Sequence, residues 1–252
     1  MVDADAGEPL IRAQALEVGY GGVAILPALS VDLRRGELWA VVGPNGAGKS
    51  TFVRTLLGLE PAVAGAVTRA PGLRLAYVPQ QGALDAIFPV AVRDFVLMGR
   101  QGPGGLFGRL TSADGAAADA ALAEAGADAF ARRQLRDLSG GQRQCVLMAR
   151  ALARDADVIF LDEPTNALDL QSERDVLALI ETLRARRGAA VVMVTHLVDD
   201  ALQRADHALL LDRDHGVALA ARAAEMRATP AFQHVYGRVL ARAHADDARG
   251  AP

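Results

Sequence analysis

The sequence predicts an α/β protein built on a parallel sheet, with an antiparallel β subdomain before that core and a helical insertion within it. Three apolar runs, at 38–42, 158–162 and 190–194, have the length and composition of buried strands. Residues 29–33 instead alternate apolar and polar side chains, as half-buried antiparallel strands do. The alanine-rich stretch at 116–125 favours a helix. Buried strands separated by helical segments are typical of a wound parallel sheet.

The composition is that of a globular chain with a substantial core. Of 252 residues, 51% are hydrophobic and 23% are charged, which excludes a disordered chain and a coiled-coil rod. The apolar runs are far shorter than the ~18 residues that span a bilayer, and the acidic start of the chain is unlike a secretory signal. The single cysteine, Cys145, fits a reducing compartment. The net charge of −3 gives no general attraction to nucleic acid or anionic lipid.

Turn signals and composition divide the chain into one domain and a tail. We expect the domain to cover residues 8–228 and the tail to cover 229–252. Within the domain, 8–35 form the antiparallel sheet and about 83–154 form the helical insertion. Gly102–Gly105 in that insertion predict a mobile loop.

The segment after the first apolar run matches the phosphate-binding pattern G-x-x-x-x-G-K-[ST] and is followed by a helix-like stretch. Its glycines let backbone N–H groups point at a phosphate, and the helix start adds positive potential. We predict that Lys49, the only lysine among 27 basic residues, reaches the β- and γ-phosphates and that Ser50 places its hydroxyl on Mg²⁺. The predicted nucleotide-binding residues of this segment are Gly43, Pro44, Asn45, Gly46, Ala47, Gly48, Lys49, Ser50 and Thr51.

The two other apolar runs end in polar side chains that suit nucleotide hydrolysis. Asp162 and Glu163 close one run, and Thr195 and His196 follow the other. Because parallel strands present their carboxyl ends at one edge of a sheet, we expect these side chains beside the glycine loop. Asp162 can hold Mg²⁺, Glu163 can polarise the attacking water, and His196 can hydrogen-bond the γ-phosphate. The alternative for the two acids is an ordinary strand end exposed to solvent.

A second cluster of exposed N–H groups is predicted at Ser139, Gly140, Gly141 and Gln142. Ser139 is a favourable N-cap, and the residues after it read as a helix. Two glycines at a helix start expose N–H groups that suit a phosphate. Since one nucleotide rarely needs two such clusters from one chain, we infer that two copies pair and that each closes over the nucleotide of the other.

These motifs, in this order, resemble those of the ATP-binding cassette (ABC) ATPases over about residues 10–211. The resemblance identifies 43–50 as the Walker A loop, 158–162 as the Walker B strand and 138–142 as the family signature. It implies the ABC ATPase fold, in which a RecA-like phosphate-loop core carries an N-terminal antiparallel β subdomain and a helical insertion. It also implies ATP as substrate and Mg²⁺ as cofactor.

The resemblance assigns roles that the residues alone do not establish. Gln80 would join Glu163 and His196 in the catalytic set, and would sense Mg²⁺ and the membrane partner. Tyr20 would stack on adenine, which suits an aromatic ring. The segment 166–169 would be the D-loop, ending at Asp169.

Two positions depart from the family pattern. Asn166 stands where serine is usual, and Cys145 stands where arginine is common after the signature. Asparagine and serine are both small and polar, so we expect little effect at 166. At 145 the lost charge is expected to weaken a contact within the helical insertion or at the dimer interface. Neither change is expected to touch the phosphate chemistry.

Several classes of ABC ATPase compete as the function. A soluble factor acting on ribosomes or DNA usually has two cassettes or a long coiled coil, for which 252 residues leave no room. An exporter in one chain would contain its own membrane span. We therefore predict a peripheral subunit on the cytoplasmic face of the membrane, bound to a separate permease and with no nucleic-acid partner. An ATPase of an exporter remains an alternative.

A stretch at 85–100 refines the prediction. It is similar to a segment of importer subunits for zinc, manganese and iron or iron chelates. The resemblance implies uptake of a divalent metal or metal chelate, with an extracytoplasmic solute-binding protein in the same system. We expect Val92, Phe95 and Val96 to face a groove that takes a permease helix; the alternative is that they are ordinary helix core.

Overall fold

The computed structural model describes residues 7–80, 89–101 and 110–237. They form two compact units. The phosphate-loop unit comprises the described residues up to 70 and from 194 onward, and the signature unit comprises those from 71 to 193. Among the described residues, none of the helices combines the length and hydropathy needed to traverse a bilayer.

Three sequence-based expectations lie outside the described residues. They are the first part of the importer-like stretch, at 85–88, the glycine loop at 102–105, and the last part of the tail, at 238–252.

The phosphate-loop unit contains an antiparallel sheet and the strand that leads into the glycine loop. Its strands are β1 (Ile11–Glu17), β2 (Gly19–Tyr20), β3 (Val23–Ala24), β4 (Leu29–Leu33), β5 (Leu38–Val42), β6 (Ala64–Arg69), β10 (His207–Asp212) and β11 (Val217–Arg222). Its helices are α1 (Lys49–Leu57), α6 (Val198–Arg204), α7 (Ala223–Met226) and a last helical segment at 230–237.

The antiparallel sheet has the strand order β4-β1-β6. Ile11 pairs with Leu33 on one side and with Arg69 on the other. Side chains along β4 alternate between the core and the surface, which confirms the strand predicted at 29–33. The sheet also includes β6, which lies beyond the predicted range of 8–35.

The strand β5 leads directly into the glycine loop. All five of its residues are buried, as expected for a strand inside a parallel sheet. It runs parallel to β10, which in turn pairs antiparallel with β11. The helix α1 starts at Lys49 with Gly48 as its N-cap, so the loop joins a buried strand to a helix N-terminus, as predicted.

The signature unit combines parallel strands with a helical layer. Its strands are β7 (Leu75–Val78), β8 (Val158–Asp162) and β9 (Ala190–Val194), and its helices are α2 (Val92–Leu97), α3 (Ser112–Glu124), α4 (Gly140–Ala153) and α5 (Leu170–Arg187), with short 3-10 helices at Met98–Arg100, Asp128–Phe130 and Leu135–Asp137. β7 and β8 are parallel, in the order β9-β8-β7. The helices α2, α3 and α4 pack on one another, which confirms the helical insertion. Helices and parallel strands together confirm the predicted α/β class.

The groove-facing role predicted for Val92, Phe95 and Val96 is wrong. Their exposed fractions are 0%, 6% and 0%, so they are core residues of the helical layer. The Arg150 guanidinium lies 4.8 Å from the centre of the Phe95 ring. The spacing that suggested a docking face is equally that of an amphipathic helix packed on its neighbours, and the alternative stated for these residues is the correct one.

The helical segment at 230–237 belongs to the packed part of the molecule. Phe232 is fully buried, and its ring lies 5.0 Å from the ring of Tyr236. His234 meets His215 edge to face at 4.8 Å. The division into a domain ending at 228 and a tail stays a prediction, but the first turns of that tail contact the fold.

Candidate nucleotide-binding and hydrolysis site

The glycine loop has positive φ angles, which favour glycine, at all three of its glycines, Gly43, Gly46 and Gly48. Gly43 has φ 152° and Gly48 has φ 93°. A Cβ added at Gly43 would lie 2.0 Å from the carbonyl oxygen of Leu211. The backbone at Gly43 therefore lies too close to the Leu211 carbonyl group to leave room for a side chain. Residues 44–46 are exposed at the tip of the loop.

Lys49 folds back over the loop. Its side chain is 7% exposed, and its Nζ donates hydrogen bonds to the carbonyl oxygens of Gly43 and Pro44, at 2.8 and 2.9 Å. Both are neutral acceptors, whereas a phosphate oxygen is anionic and forms a stronger charge-assisted hydrogen bond. The ammonium group is thus held at the loop, where it can take an anion.

Two further predicted binding residues meet beside the loop. The Tyr20 hydroxyl lies 2.6 Å from Oγ1 of Thr51. Because Tyr20 is 53% exposed, its ring offers surface on which a base can stack. Ser50 is exposed at the first turn of α1. These contacts place the aromatic ring and the hydroxyl residues at the start of one helix.

His196 follows β9 at the surface of the phosphate-loop unit. The Thr195 N–H donates to the carbonyl oxygen of Val41 at 3.2 Å, just before the glycine loop. His196 itself is exposed. The backbone thus brings His196 to the end of β5, and its hydrogen bond to the γ-phosphate stays a prediction.

Tyr236 is a residue near the loop that sequence reasoning missed. Burial raises the pKa of Tyr236 to about 12, while a hydrogen bond with the Gly43 backbone acts in the opposite direction. The helical segment at 230–237 therefore touches the first residue of the glycine loop. The only sequence signal was the spacing of Phe232 and Tyr236 by four residues, which puts two aromatic rings on one helix face.

In the signature unit, the Walker B strand delivers two carboxylates with different surroundings. Asp162, the last residue of β8, is buried, and its Oδ2 accepts a hydrogen bond from the Tyr77 hydroxyl at 3.2 Å. Glu163 follows with φ 48°, which is uncommon for a residue with a side chain. That Asp162 and Glu163 lie beside the glycine loop stays a prediction.

The Glu163 carboxylate is held by two side-chain amides. Gln80 donates from Nε2 at 2.5 Å and Asn166 donates from Nδ2 at 3.0 Å, both to Oε2. The structure thus brings the predicted Gln80 and Glu163 together. The side-chain amide of Asn166 thus reaches the candidate general base, a contact that comparing asparagine with serine by size and polarity did not predict.

The signature forms the predicted capped helix start. Oγ of Ser139 accepts from the Gln142 N–H at 3.3 Å, and Oε1 of Gln142 accepts from the Ser139 N–H at 3.1 Å. This reciprocal pair fixes the first turn of α4. Gly140 and Gly141 occupy that turn.

Asp169 ends the D-loop by capping α5. Its carboxylate accepts hydrogen bonds from the N–H groups of Gln171 and Ser172, at 3.0 and 2.9 Å, and from the Ser172 hydroxyl at 2.8 Å. The hydrogen bond from the Ser172 backbone contributes most to lowering the pKa of Asp169. The carboxylate is therefore ionised and fixed in place at neutral pH.

Cys145 lies on α4, which packs against α5. Burial raises the pKa of the Cys145 thiol, and the negative charge of Asp175 acts in the same direction. Asp175 lies on α5, outside the helical insertion, and the expected weakening of a contact within that insertion or at the dimer interface stays a prediction.

The residues predicted to hold Mg²⁺ fit that ion by their donor atoms. Ser50 offers a hydroxyl, Asp162 a carboxylate and Gln80 an amide oxygen, since its amide nitrogen donates to Glu163. Mg²⁺ prefers such hard oxygen ligands and takes few of them from protein, together with substrate phosphates.

Comparison with known proteins agrees with this geometry. The model of the ABC transporter family matches residues 26–166. The zinc import ATP-binding protein ZnuC of Ruegeria pomeroyi is 41% identical over 204 residues, which is 81% of this chain and 75% of that protein. The manganese transport system ATP-binding protein MntB of Bacillus subtilis is 40% identical over 207 residues, which is 80% of this chain and 82% of that protein.

Solved structures give the same result. A metal-chelate type ABC transporter in an inward-facing conformation has a chain that is 31% identical, with a TM-score of 0.81, covering 92% of this chain and 90% of that one. A bacterial ABC transporter cassette solved as a dimer is 25% identical, with a TM-score of 0.70, covering 84% of this chain and 98% of that one. The protein described here is an ATPase of the ABC transporter family.

Proposed function

We propose that this chain is the ATP-hydrolysing subunit of an importer for zinc or manganese, or for a metal chelate. The observation that supports hydrolysis most directly is the Glu163 carboxylate, held by two amides immediately after the Walker B strand. The metal class is supported by the zinc and manganese systems among the relatives and by the metal-chelate type transporter among the solved structures.

The residues divide the work of ATP hydrolysis. The glycine loop binds the phosphates through backbone N–H groups and Lys49, and Tyr20 stacks on adenine. Glu163 accepts a proton from water as the water oxygen attacks the γ-phosphorus and the bond to the bridging oxygen breaks. His196 hydrogen-bonds the γ-phosphate. Ser50, Gln80 and Asp162 would hold Mg²⁺, which supplies neutralising charge at the phosphate oxygens.

Two copies of the chain act together in this proposal. The first turn of α4, which contains Gly140 and Gly141, would bind a phosphate of the partner's nucleotide at the positive end of the helix. Binding of ATP favours the closed dimer because the γ-phosphate contacts exist only in that state, and hydrolysis removes them. The dimeric cassette among the structural relatives supports this arrangement.

The surface proposed for the permease is a cavity of about 320 Å³ in the signature unit. It is lined in part by Tyr77, Pro79, Met98, Arg150 and Arg154. Met98 is 42% exposed and supplies an apolar contact. The cavity replaces the buried face of α2 as the candidate coupling surface.

Charge suggests what kind of helix this cavity takes. Burial, and then the like charge of Arg154, lowers the pKa of Arg150. Within the described residues neither arginine has a carboxylate partner within ion-pair distance. A permease helix with an acidic side chain would relieve this repulsion. The subunit would then sit peripherally on the cytoplasmic face, in a system that includes an extracytoplasmic solute-binding protein.

Metal uptake in cells tests the proposal. Deleting the coding sequence should lower uptake of radioactive zinc or manganese, and the wild-type chain should restore it. Glu163→Gln should fail to restore uptake, whereas Glu181→Gln, a control at a partly exposed position of α5, should restore it. Unchanged uptake of both metals, of iron and of metal chelates in the deletion strain would refute the transport role. Co-purification with ribosomes or DNA instead of membranes would favour the soluble class.

A further inference from the structure

The two amides on Glu163 converge on one of its two carboxylate oxygens. Gln80 Nε2 lies 2.5 Å and Asn166 Nδ2 lies 3.0 Å from Oε2. Hydrogen bonds to an ionised acceptor are shorter and stronger than neutral ones. Both donors are neutral amides, so they hold this oxygen without bringing a second charge to the carboxylate.

The backbone between Glu163 and Asn166 holds this contact in place. The Asn166 N–H donates to the Glu163 carbonyl oxygen at 3.1 Å, closing a turn. Glu163 and Ala167 both have positive φ angles, 48° and 58°. Positive φ in residues with side chains costs energy and persists where the surroundings impose it. The backbone turn therefore holds the main chain of Glu163, while the side chain of Asn166 holds its carboxylate.

Side-chain length makes this contact specific to asparagine. A serine hydroxyl ends one bond closer to the backbone than an asparagine amide nitrogen. At 166 it would fall short of an oxygen that the amide reaches at 3.0 Å. Asn166 thus supplies a donor that serine at this position would not supply.

We propose that Asn166 is a positioning residue for hydrolysis, which with Gln80 fixes Oε2 of Glu163 so that Oε1 meets the attacking water. The proposal rests on the proposed ATPase function of Glu163. Orientation matters at this step because a small misplacement of a reacting group costs as much as a hundredfold in rate.

Steady-state ATPase measurements on the full chain test this role. Asn166→Ala should lower kcat roughly ten- to hundredfold and leave the Kd for ATP, measured by calorimetry, within twofold. Asn166→Asp keeps the shape of the side chain but places a second carboxylate against Glu163. Its kcat should therefore fall further than that of Asn166→Ala. Asn166→Ser should lower kcat because its hydroxyl does not reach Oε2. Thr165→Ala, on the same turn, should keep kcat near the wild-type value.

A double-mutant cycle with Glu163→Gln separates positioning from a structural role. If Asn166 acts through Glu163, adding Asn166→Ala to Glu163→Gln should not lower the residual rate further. If Asn166→Ala lowers the rate by the same factor in the wild type and in Glu163→Gln, the proposal is overturned. It is also overturned if Asn166→Ala and Asn166→Asp both keep the wild-type kcat. Failure of Glu163→Gln to slow hydrolysis would instead refute the assignment of Glu163. If Asn166→Ala lowers the melting temperature strongly, the near-isosteric Asn166→Asp decides the outcome.

Discussion

Gly141 of the signature lies directly against Ser172 of α5. A Cβ added at Gly141 would be 2.4 Å from Oγ and 2.9 Å from Cβ of Ser172. The same Ser172 hydroxyl donates to Asp169 at the end of the D-loop. The glycine therefore has a role within the chain, because it lets the tip of the signature helix and the cap of α5 pack in contact.

This contact predicts the effect of Gly141→Ala. The added methyl group must displace Ser172, which breaks the hydroxyl bond to Asp169 and moves α4 relative to α5. We expect ATP-dependent dimerisation and kcat to fall at least tenfold, while the Kd for ATP of the monomer changes little. Adding Ser172→Gly removes both clashing atoms and should recover a large part of the lost dimerisation and kcat. If the double variant is no better than Gly141→Ala, the methyl group acts on the partner's nucleotide and the intramolecular explanation is wrong.

The sequence predicted those parts of the site in which contiguous residues perform the chemistry. The glycine loop at 43–51 needs a strand, left-handed glycines and a helix start in succession, and each has a local signature. Gly141 was recognised for its exposed N–H group, but its contact with Ser172 joins two helices and has no local pattern. The contact of Tyr236 with Gly43 was missed for the same reason, since it joins opposite ends of the chain.

One wrong expectation and one missed contact have different physical causes. Val92, Phe95 and Val96 show the spacing of an apolar helix face, and that spacing does not distinguish a core face from a docking face. Val92, Phe95 and Val96 are buried because α3 and α4 pack against α2. Asn166 was compared with serine by size and polarity, whereas its contact with Glu163 depends on the reach of its side chain.

Tyr236→Phe should weaken nucleotide binding without removing the ring from the core. The phenylalanine keeps the contact with Phe232 but loses the hydrogen bond with the Gly43 backbone. One hydrogen bond contributes about 0.5–1.5 kcal/mol net, so we expect the Kd for ATP to rise about two- to tenfold. Calorimetry at pH 7.5 measures this. A Kd equal to that of the wild type would show that the first glycine keeps its position without the hydroxyl.

The raised pKa of Tyr236 also predicts a pH dependence. Its pKa is about 12 in the folded protein against an ordinary value of 10.0, so the folded state holds the proton more tightly than the unfolded state. The associated stability is fully present below pH 10 and is lost as the pH rises toward 12. Between about pH 8 and pH 11, the free energy of unfolding measured with urea should fall less for Tyr236→Phe than for the wild type. Equal losses would contradict the assignment to this tyrosine.

Cys145→Arg should introduce an ion pair between α4 and α5. Asp175 already acts electrostatically on Cys145, and its Oδ1 accepts a hydrogen bond from Gln171 at 2.9 Å. Because Asp175 is exposed, the gain in the free energy of unfolding should be small, about 0–1 kcal/mol. It should disappear at high salt. Thermal unfolding at low and high ionic strength measures it, with Cys145→Met as the uncharged control of similar length. A gain that is the same for both variants, or insensitive to salt, would have another origin.

Met98→Asp should separate transport from ATP hydrolysis. Met98 is exposed at the cavity assigned to the permease, beside Arg150 and Arg154. An aspartate there would offer those arginines an intramolecular carboxylate and would remove an apolar contact from the docking surface. We expect metal uptake to fall at least tenfold while the isolated subunit keeps its kcat within twofold. Leu59→Asp is the control, since Leu59 is 65% exposed in the phosphate-loop unit, and it should leave uptake near the wild-type level. Equal loss of uptake in both variants would point to a general effect of a new surface charge, and normal uptake with Met98→Asp would exclude this cavity as the coupling surface.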